Sequence, residues 1–298
     1  MFQGRRVSVV LGGGGMKGLA HIGALKVLER YGITPDEYVG TSVGAFIAAM
    51  AAGGLRPDEL QEIGLGIRKK DILDYDWLGL LWRRGGSRSL YRGRALHDFI
   101  RRALPEDRFD RLPLPLYVTS VDLNSGREVI WGMPGYREIP LHDCVVASCS
   151  LPGIYPPKKI SSYYFVDGGV VDTLPVKVAV YTKAELIIAI YLEPAELLPQ
   201  GVERRGLAAI LQQAESIVSR TLVRHNLQFF DRAPIVLVQP RVAEHGIFDF
   251  RNTADVIRAG EEAAEAALRA SPLLRDLLPP PLLSETPRPA RMNVMGSA

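Results

Sequence analysis

Apolar residues in this chain fall into two kinds of run, and the contrast between them predicts the elements. Val7–Leu11 is an almost continuous apolar run stopped by glycines, as expected of a strand buried on both faces. From about Lys17 to Arg30 the period lengthens. Leu19, Ile22, Leu25 and Leu28 share one face and Gly32 follows, which predicts a helix. Tyr38–Val39 reads as a second short strand, and Val43–Ala52, small and apolar all round, as a buried helix stopped by Gly53-Gly54. "LPLYVTSVDLNSGREVIWG" predicts two strands joined at Asn124-Ser125-Gly126. "SYYFVDGG", "AELIIAIYL" and "PIVLVQP" predict further strands, and helices are expected over 205–230 and 253–269. Strands alternating with helices imply a parallel or mixed sheet covered on both faces.

Composition narrows the class. With 298 residues, 47% of them hydrophobic, the chain can bury one large α/β core or two smaller ones. A net charge of +3 is too small to argue for nucleic acid. The charge is unevenly placed, however: residues 66–111 hold 12 Lys/Arg against 7 Asp/Glu. Two cysteines, Cys144 and Cys149, are too few for a disulfide framework, so a reduced, cytoplasmic setting is the expectation. "MFQGRRVSVVLGGGG" imitates a signal peptide, but glycines break its apolar run after five residues. "VGAFIAAMAAGGL" and "LIIAIYL" fall short of the ~20 residues that a bilayer span needs.

Candidate chemistry lies at the strand ends. "GGGGMKG" carries a G-x-G-x-x-G (Gly13, Gly15, Gly18) between a strand and a helix, the context of a dinucleotide-binding loop. That reading also needs an acid after the second strand. Asp36 and Glu37 precede that strand, and a serine turn follows it, so a nucleotide-binding oxidoreductase lacks its ribose anchor. Consecutive glycines above a helix N-terminus suit an oxyanion hole equally well. Lys17, a cation where the macrodipole disfavours one, calls for an acceptor, either a loop carbonyl or a substrate anion.

"VGTSVGAF" then sets Ser42 in a G-x-S-x-G with Gly40 and Gly44, a pattern that places a nucleophile on a strand-to-helix turn. Such a serine usually needs a histidine base. His21 lies inside the first helix, His97 and His142 read as surface residues, and His225 falls on a long helix. Only His245 gives the order Ser42, Asp167, His245 of an α/β-hydrolase. In that fold the nucleophile follows several strands, whereas Ser42 follows the second. Asp167, at a strand end before Gly168-Gly169, remains as the alternative base, provided burial raises its pKa.

Four pieces in order resemble the patatin-like phospholipase family: Gly13-Gly14-Gly15-Met16-Lys17-Gly18, the G-x-S-x-G at 40–44, Ala147-Ser148-Cys149-Ser150-Leu151-Pro152, and Asp167-Gly168-Gly169. "GLAHIGALKVLE" and "ADVIRAGEEAAEAAL" extend the likeness over roughly residues 6 to 270. The resemblance implies a three-layer α/β/α sandwich with a mostly parallel sheet. It also implies hydrolysis of lipid acyl esters by a Ser42–Asp167 dyad, with Gly13, Gly14 and Gly15 as the oxyanion hole, Lys17 and Gly18 as loop support, and no metal or cofactor. Asp172 and Thr173 stand where many members carry asparagine. A non-catalytic lipid-binding or scaffold protein on the same fold is the alternative, against which the intact Ser42 and Asp167 argue.

The expected organisation is a hydrolase domain over 1–275, with a lid or interface segment at about 66–111, and a Pro-rich tail over 276–298. Residues 77–102 combine Trp77 and Trp82 with seven arginines, among them Arg83 and Arg84, and a single acid. Trp with Arg suits a membrane surface; the same composition suits a lid over the site. No nucleic-acid partner is expected.

Overall fold

The structure is a computed structural model that describes residues 5–76, 89–194, 197 and 200–274. In chain order the elements are β1 (Val7–Leu11), α1 (Leu19–Arg30), β2 (Glu37–Thr41), α2 (Val43–Ala52), α3 (Pro57–Gly66) and the single turn α4 (Lys69–Ile72). Next come α5 (Arg94–Ala103), β3 (Leu116–Asp122), β4 (Glu128–Trp131), α6 (Leu141–Ser148), β5 (Lys158–Ile160) and β6 (Tyr163–Asp167). The series closes with α7 (Val176–Tyr181), β7 (Leu186–Ile190), α8 (Leu207–Phe229), β8 (Ile235–Val238) and α9 (Thr253–Ala270).

The strands form one mixed, mostly parallel sheet in the order β5-β6-β3-β2-β1-β7-β8, with β4 also paired to β3. β2, β1, β7, β8 and the first half of β3 run parallel, whereas β4 and β6 pair antiparallel to β3. Alternation along the strands divides the core. Val7, Val9 and Leu11 face a large cluster with α1, α2, α6 and α9. Val10, Val39, Ile187 and Ala189 face a smaller one with α7 and Val223 of α8. The result is the expected α/β/α sandwich.

Register brings the chemistry to one edge. Leu11 pairs with Gly40, so the glycine loop after β1 and the serine turn after β2 leave the sheet side by side. Thr41 pairs with Thr119, and Ser120 pairs with Asp167, so the last residue of antiparallel β6 ends beside Ser42. A hydrogen bond between the Thr41 and Thr119 hydroxyls, 2.7 Å apart, ties the two pairs together.

Several elements carried no clear periodicity and were not expected. α3 starts at Pro57, and the Arg56 N–H donates to the Glu59 carboxylate at 2.7 Å. α5 is capped from outside by Asp74, which accepts from the Gly93, Arg94 and Ala95 N–H groups at 2.9–3.3 Å. The first helix begins at Leu19 rather than Lys17, because Gly15–Gly18 form a 3-10 turn. Trp77, Trp82, Arg83, Arg84 and the tail over 276–298 lie outside the described residues.

Candidate active site

Ser42 sits between β2 and α2 with φ 56° and ψ −129°, a backbone conformation that side chains other than glycine rarely adopt. The flanking glycines make the turn sterically feasible. A Cβ on Gly40 would stand 2.5 Å from Ala45 Cα, and one on Gly44 would stand 2.1 Å from the Leu11 carbonyl oxygen. The Ser42 N–H donates to the Ser148 hydroxyl oxygen at 2.8 Å, which anchors the turn to the end of α6.

Asp167 faces the serine and is 4% exposed. Burial pushes its carboxyl up to about 6, opposed by hydrogen bonding from Ser42 and from the Gly169 N–H, the latter at 2.8 Å. Gly168 is required by proximity, since a Cβ there would lie 2.4 Å from Thr119 Oγ1. Gly169 supplies the N–H that fixes the carboxylate. Cys149, inside the third motif but given no role there, adds a second contact to Ser42, and burial raises its thiol far above the ordinary range.

The glycine loop closes over Ser42. A Cβ on Gly13 would lie 3.3 Å from Ser42 Cβ. One of the three expected oxyanion donors is already committed: the Gly13 N–H donates to the Thr173 carbonyl at 3.0 Å. The other side of that peptide unit is fixed as well, because the Gly12 carbonyl accepts from His21 Nε2 at 2.8 Å. The Gly14 and Gly15 N–H groups have no acceptor among the described residues. Gly15 takes φ 61° where the Ile247 carbonyl approaches, and Gly18 packs on Val43.

Lys17 finds the first of its two anticipated acceptors, the Glu193 carbonyl at 2.8 Å. Burial pulls its ammonium down to about 8, with Glu215 opposing. Asp172 and Thr173 serve the scaffold. Thr173 hydrogen-bonds Ser219 of α8 at 3.0 Å, and Asp172 lies 3.2 Å from Lys177 Nζ.

No histidine is among the described contacts of Ser42 and Asp167. His21 is buried, and burial lowers it to about 4, so it stands neutral beneath the loop. His245 lies 3.9 Å from Glu244. His97 and His142, expected at the surface, are instead partly buried in a cluster with Asp143. The chemistry available is that of a strained serine, a buried carboxylate and free backbone N–H groups. Among the described residues, no helix is long and apolar enough to cross a membrane.

Comparison with known proteins identifies the family. The model of the family described as patatin-like phospholipase matches residues 9–180. An uncharacterised NTE family protein of Mycobacterium tuberculosis (strain CDC 1551 / Oshkosh) is 28% identical over 290 residues, covering 90% of this chain and 47% of that protein. Patatin-like phospholipase domain-containing protein 6 of Mus musculus is 29% identical over 198 residues, covering 64% of this chain and 14% of that protein. The chain thus spans about half the length of the first of these relatives and much less of the second. Among solved structures, VipD from Legionella pneumophila aligns with a TM-score of 0.53 at 12% identity, covering 88% of this chain and 66% of that one, which supports the fold alone. A sheet edge that gathers the glycine loop, the serine turn and Asp167, together with the family match over more than half its length, shows that this chain belongs to the patatin-like phospholipase family.

Proposed function

We propose that this chain is a serine acyl hydrolase that cleaves the acyl esters of phospholipids through a Ser42–Asp167 dyad. One observation carries the reading: Asp167 is buried against Ser42, and its carboxyl titrates near 6. A carboxylate at ~3.9 is a poor acceptor for a serine proton, whereas one near 6 is ionised at neutral pH and more basic. Ser42 Oγ attacks the ester carbonyl while its proton passes to Asp167. The Gly14 and Gly15 N–H groups receive the negative charge that develops on the carbonyl oxygen. Collapse of the tetrahedral intermediate expels the alcohol, which takes the proton from Asp167. A water molecule, deprotonated by the same carboxylate, then releases the acyl group and regenerates Ser42.

A lipid surface is the natural place for this site to work, and α8 supplies a face for it. Leu207, Ile210, Leu211, Ile217 and Val218 are all exposed, and Leu207 and Leu211 reach 71% and 60%. They form one stripe, opposite the buried Ser216, Ser219 and Val223. The same helix is joined to the site, because Ser219 bonds Thr173 and Arg220 pairs with Glu193, whose carbonyl holds Lys17. An apolar stripe joined to the site suits insertion at the depth where acyl esters lie.

Labelling by a fluorophosphonate probe tests the nucleophile. Wild-type protein is expected to label covalently at Ser42, and Ser42→Ala to lose both labelling and turnover of a p-nitrophenyl ester while remaining folded. Labelling that persists in Ser42→Ala, or turnover near wild type, contradicts the assignment.

A further inference from the structure

A second set of functional groups lies at the other end of α6. His97 of α5 and His142 and Asp143 in the first turn of α6 converge on one point. His142 Nε2 is 3.3 Å and His97 Nε2 3.7 Å from the same Asp143 Oδ1, and the three atoms lie within 4.8 Å of one another. Each imidazole is also held from behind by a carboxylate. His142 Nδ1 is 2.7 Å from Asp107 Oδ1, and His97 Nδ1 is 3.2 Å from Asp98 Oδ1. With each Nδ1 turned towards an acid, both Nε2 atoms are left facing the same Asp143 oxygen, the shared point that a cation would occupy. A histidine whose far nitrogen donates to a carboxylate is the usual form of a metal-binding imidazole.

Spacing and charge point the same way. Ligands about 2.0–2.1 Å from zinc in a tetrahedron stand roughly 3.3 Å apart, a separation that the His142–Asp143 pair has and the His97–Asp143 pair approaches at 3.7 Å. Two imidazoles and a carboxylate are a donor set suited to zinc. Asp98, Asp107 and Asp143 supply three carboxylates, and the Lys158 ammonium is bonded to Asp143. A dication in its place would offset two of these three charges instead of one. Lys158 and His97 also line a cavity of about 400 Å³. The cavity gives the ammonium room to withdraw and admits water or an anion as fourth ligand.

We propose that His97, His142 and Asp143 form a divalent-cation site of the zinc class, for which Lys158 is the competing internal cation. Its role is structural. The ligands clamp α5 to α6, and α6 ends at Ser148, whose hydroxyl receives the Ser42 N–H. The site is independent of the hydrolytic reading and is tested without an activity assay.

The test is calorimetric titration of the chelator-treated full chain with zinc chloride, with cobalt(II) as a spectroscopic substitute. One equivalent is expected to bind, with visible bands of tetrahedral cobalt and a rise in Tm on zinc addition. Asp107→Asn should weaken binding about 10–100-fold by releasing the His142 ring. The His97→Gln/His142→Gln pair should abolish it. Lys158→Met should bind zinc at least as tightly as wild type, because a competitor is gone. Absence of saturable binding, or binding unchanged in the double variant, overturns the proposal. So does a Lys158→Met protein that is destabilised and takes up no zinc, because the ammonium would then be the cation for which the cluster is built. If the double variant does not fold, Asp107→Asn and Lys158→Met decide.

Discussion

Asp167 shows how burial can turn a weak base into a useful one and at what cost. Its carboxyl titrates near 6 in the folded chain, above its ordinary value of 3.8. A carboxyl raised on folding destabilises the native state once pH exceeds the ordinary value, and the full penalty is present above the folded value. At pH 7 this amounts to something on the order of 2–3 kcal/mol, at ~1.4 kcal/mol per pH unit. Asp167→Asn is therefore expected to raise Tm at pH 7 while losing activity, and the gain should shrink as pH falls from 6 towards 4. Scanning calorimetry at both ends of that window checks the sign, and a variant less stable than wild type at pH 7 contradicts the burial argument. The same group sets the acid limb of kcat/KM for a soluble ester, expected near pH 6 because only the ionised carboxylate accepts the Ser42 proton. A limb near pH 4 would mean that Asp167 is not desolvated. At this scale Ser42 and Asp167 stand out as candidates in the sequence alone, because their turns impose glycines at fixed offsets. The Ser148, Cys149 and Thr173 contacts were not legible, because they depend on a helix and a strand far apart in the chain meeting at one edge.

Among the elements, helix packing and the serine turn depend on close backbone approach, which a single methyl would disrupt. A Cβ on Gly23 of α1 would lie 1.9 Å from the Ile257 carbonyl oxygen, and one on Gly260 of α9 the same distance from that of Ala20. Gly23→Ala and Gly260→Ala should each cost roughly 1–3 kcal/mol or more in denaturant unfolding. Gly66→Ala, with nothing within 4 Å, should be nearly neutral. Equal losses at all three positions would show that the α1–α9 contact is not what the glycines serve. For α8, Leu211→Ser with Val218→Ser should weaken co-sedimentation with phospholipid vesicles several-fold and leave turnover of a soluble ester unchanged. Vesicle binding unaltered by both changes would remove α8 from the lipid-facing surface. The hydrophobic pattern located β1, α1, α2, β3, β7, α8 and α9 because each has a long run with one period. It missed α3, α5 and α6, which are short, charged or capped from elsewhere, as α5 is by Asp74. Within the glycine loop the family resemblance overstated Gly13, whose N–H is claimed by Thr173, a residue 160 positions on.

For the molecule as a whole, the order of motifs along the chain was more informative than any one of them. Parallel β1 and β2 and antiparallel β6 must end at the same edge for the glycine loop, Ser42 and Asp167 to meet, and the sheet order provides this. A dyad that needs no metal predicts that esterase activity of the folded chain survives EDTA. The cation cluster at His97, His142 and Asp143 would respond to the chelator through Tm alone. The central claim is that Asp167, and no histidine, takes the proton from Ser42. The most direct measurement is turnover of a p-nitrophenyl ester by Asp167→Asn and His245→Ala, purified and assayed side by side near pH 7.5. The account predicts a fall of about 10²–10⁴-fold for Asp167→Asn and a change of no more than about twofold for His245→Ala. A His245→Ala enzyme as impaired as Asp167→Asn would contradict it.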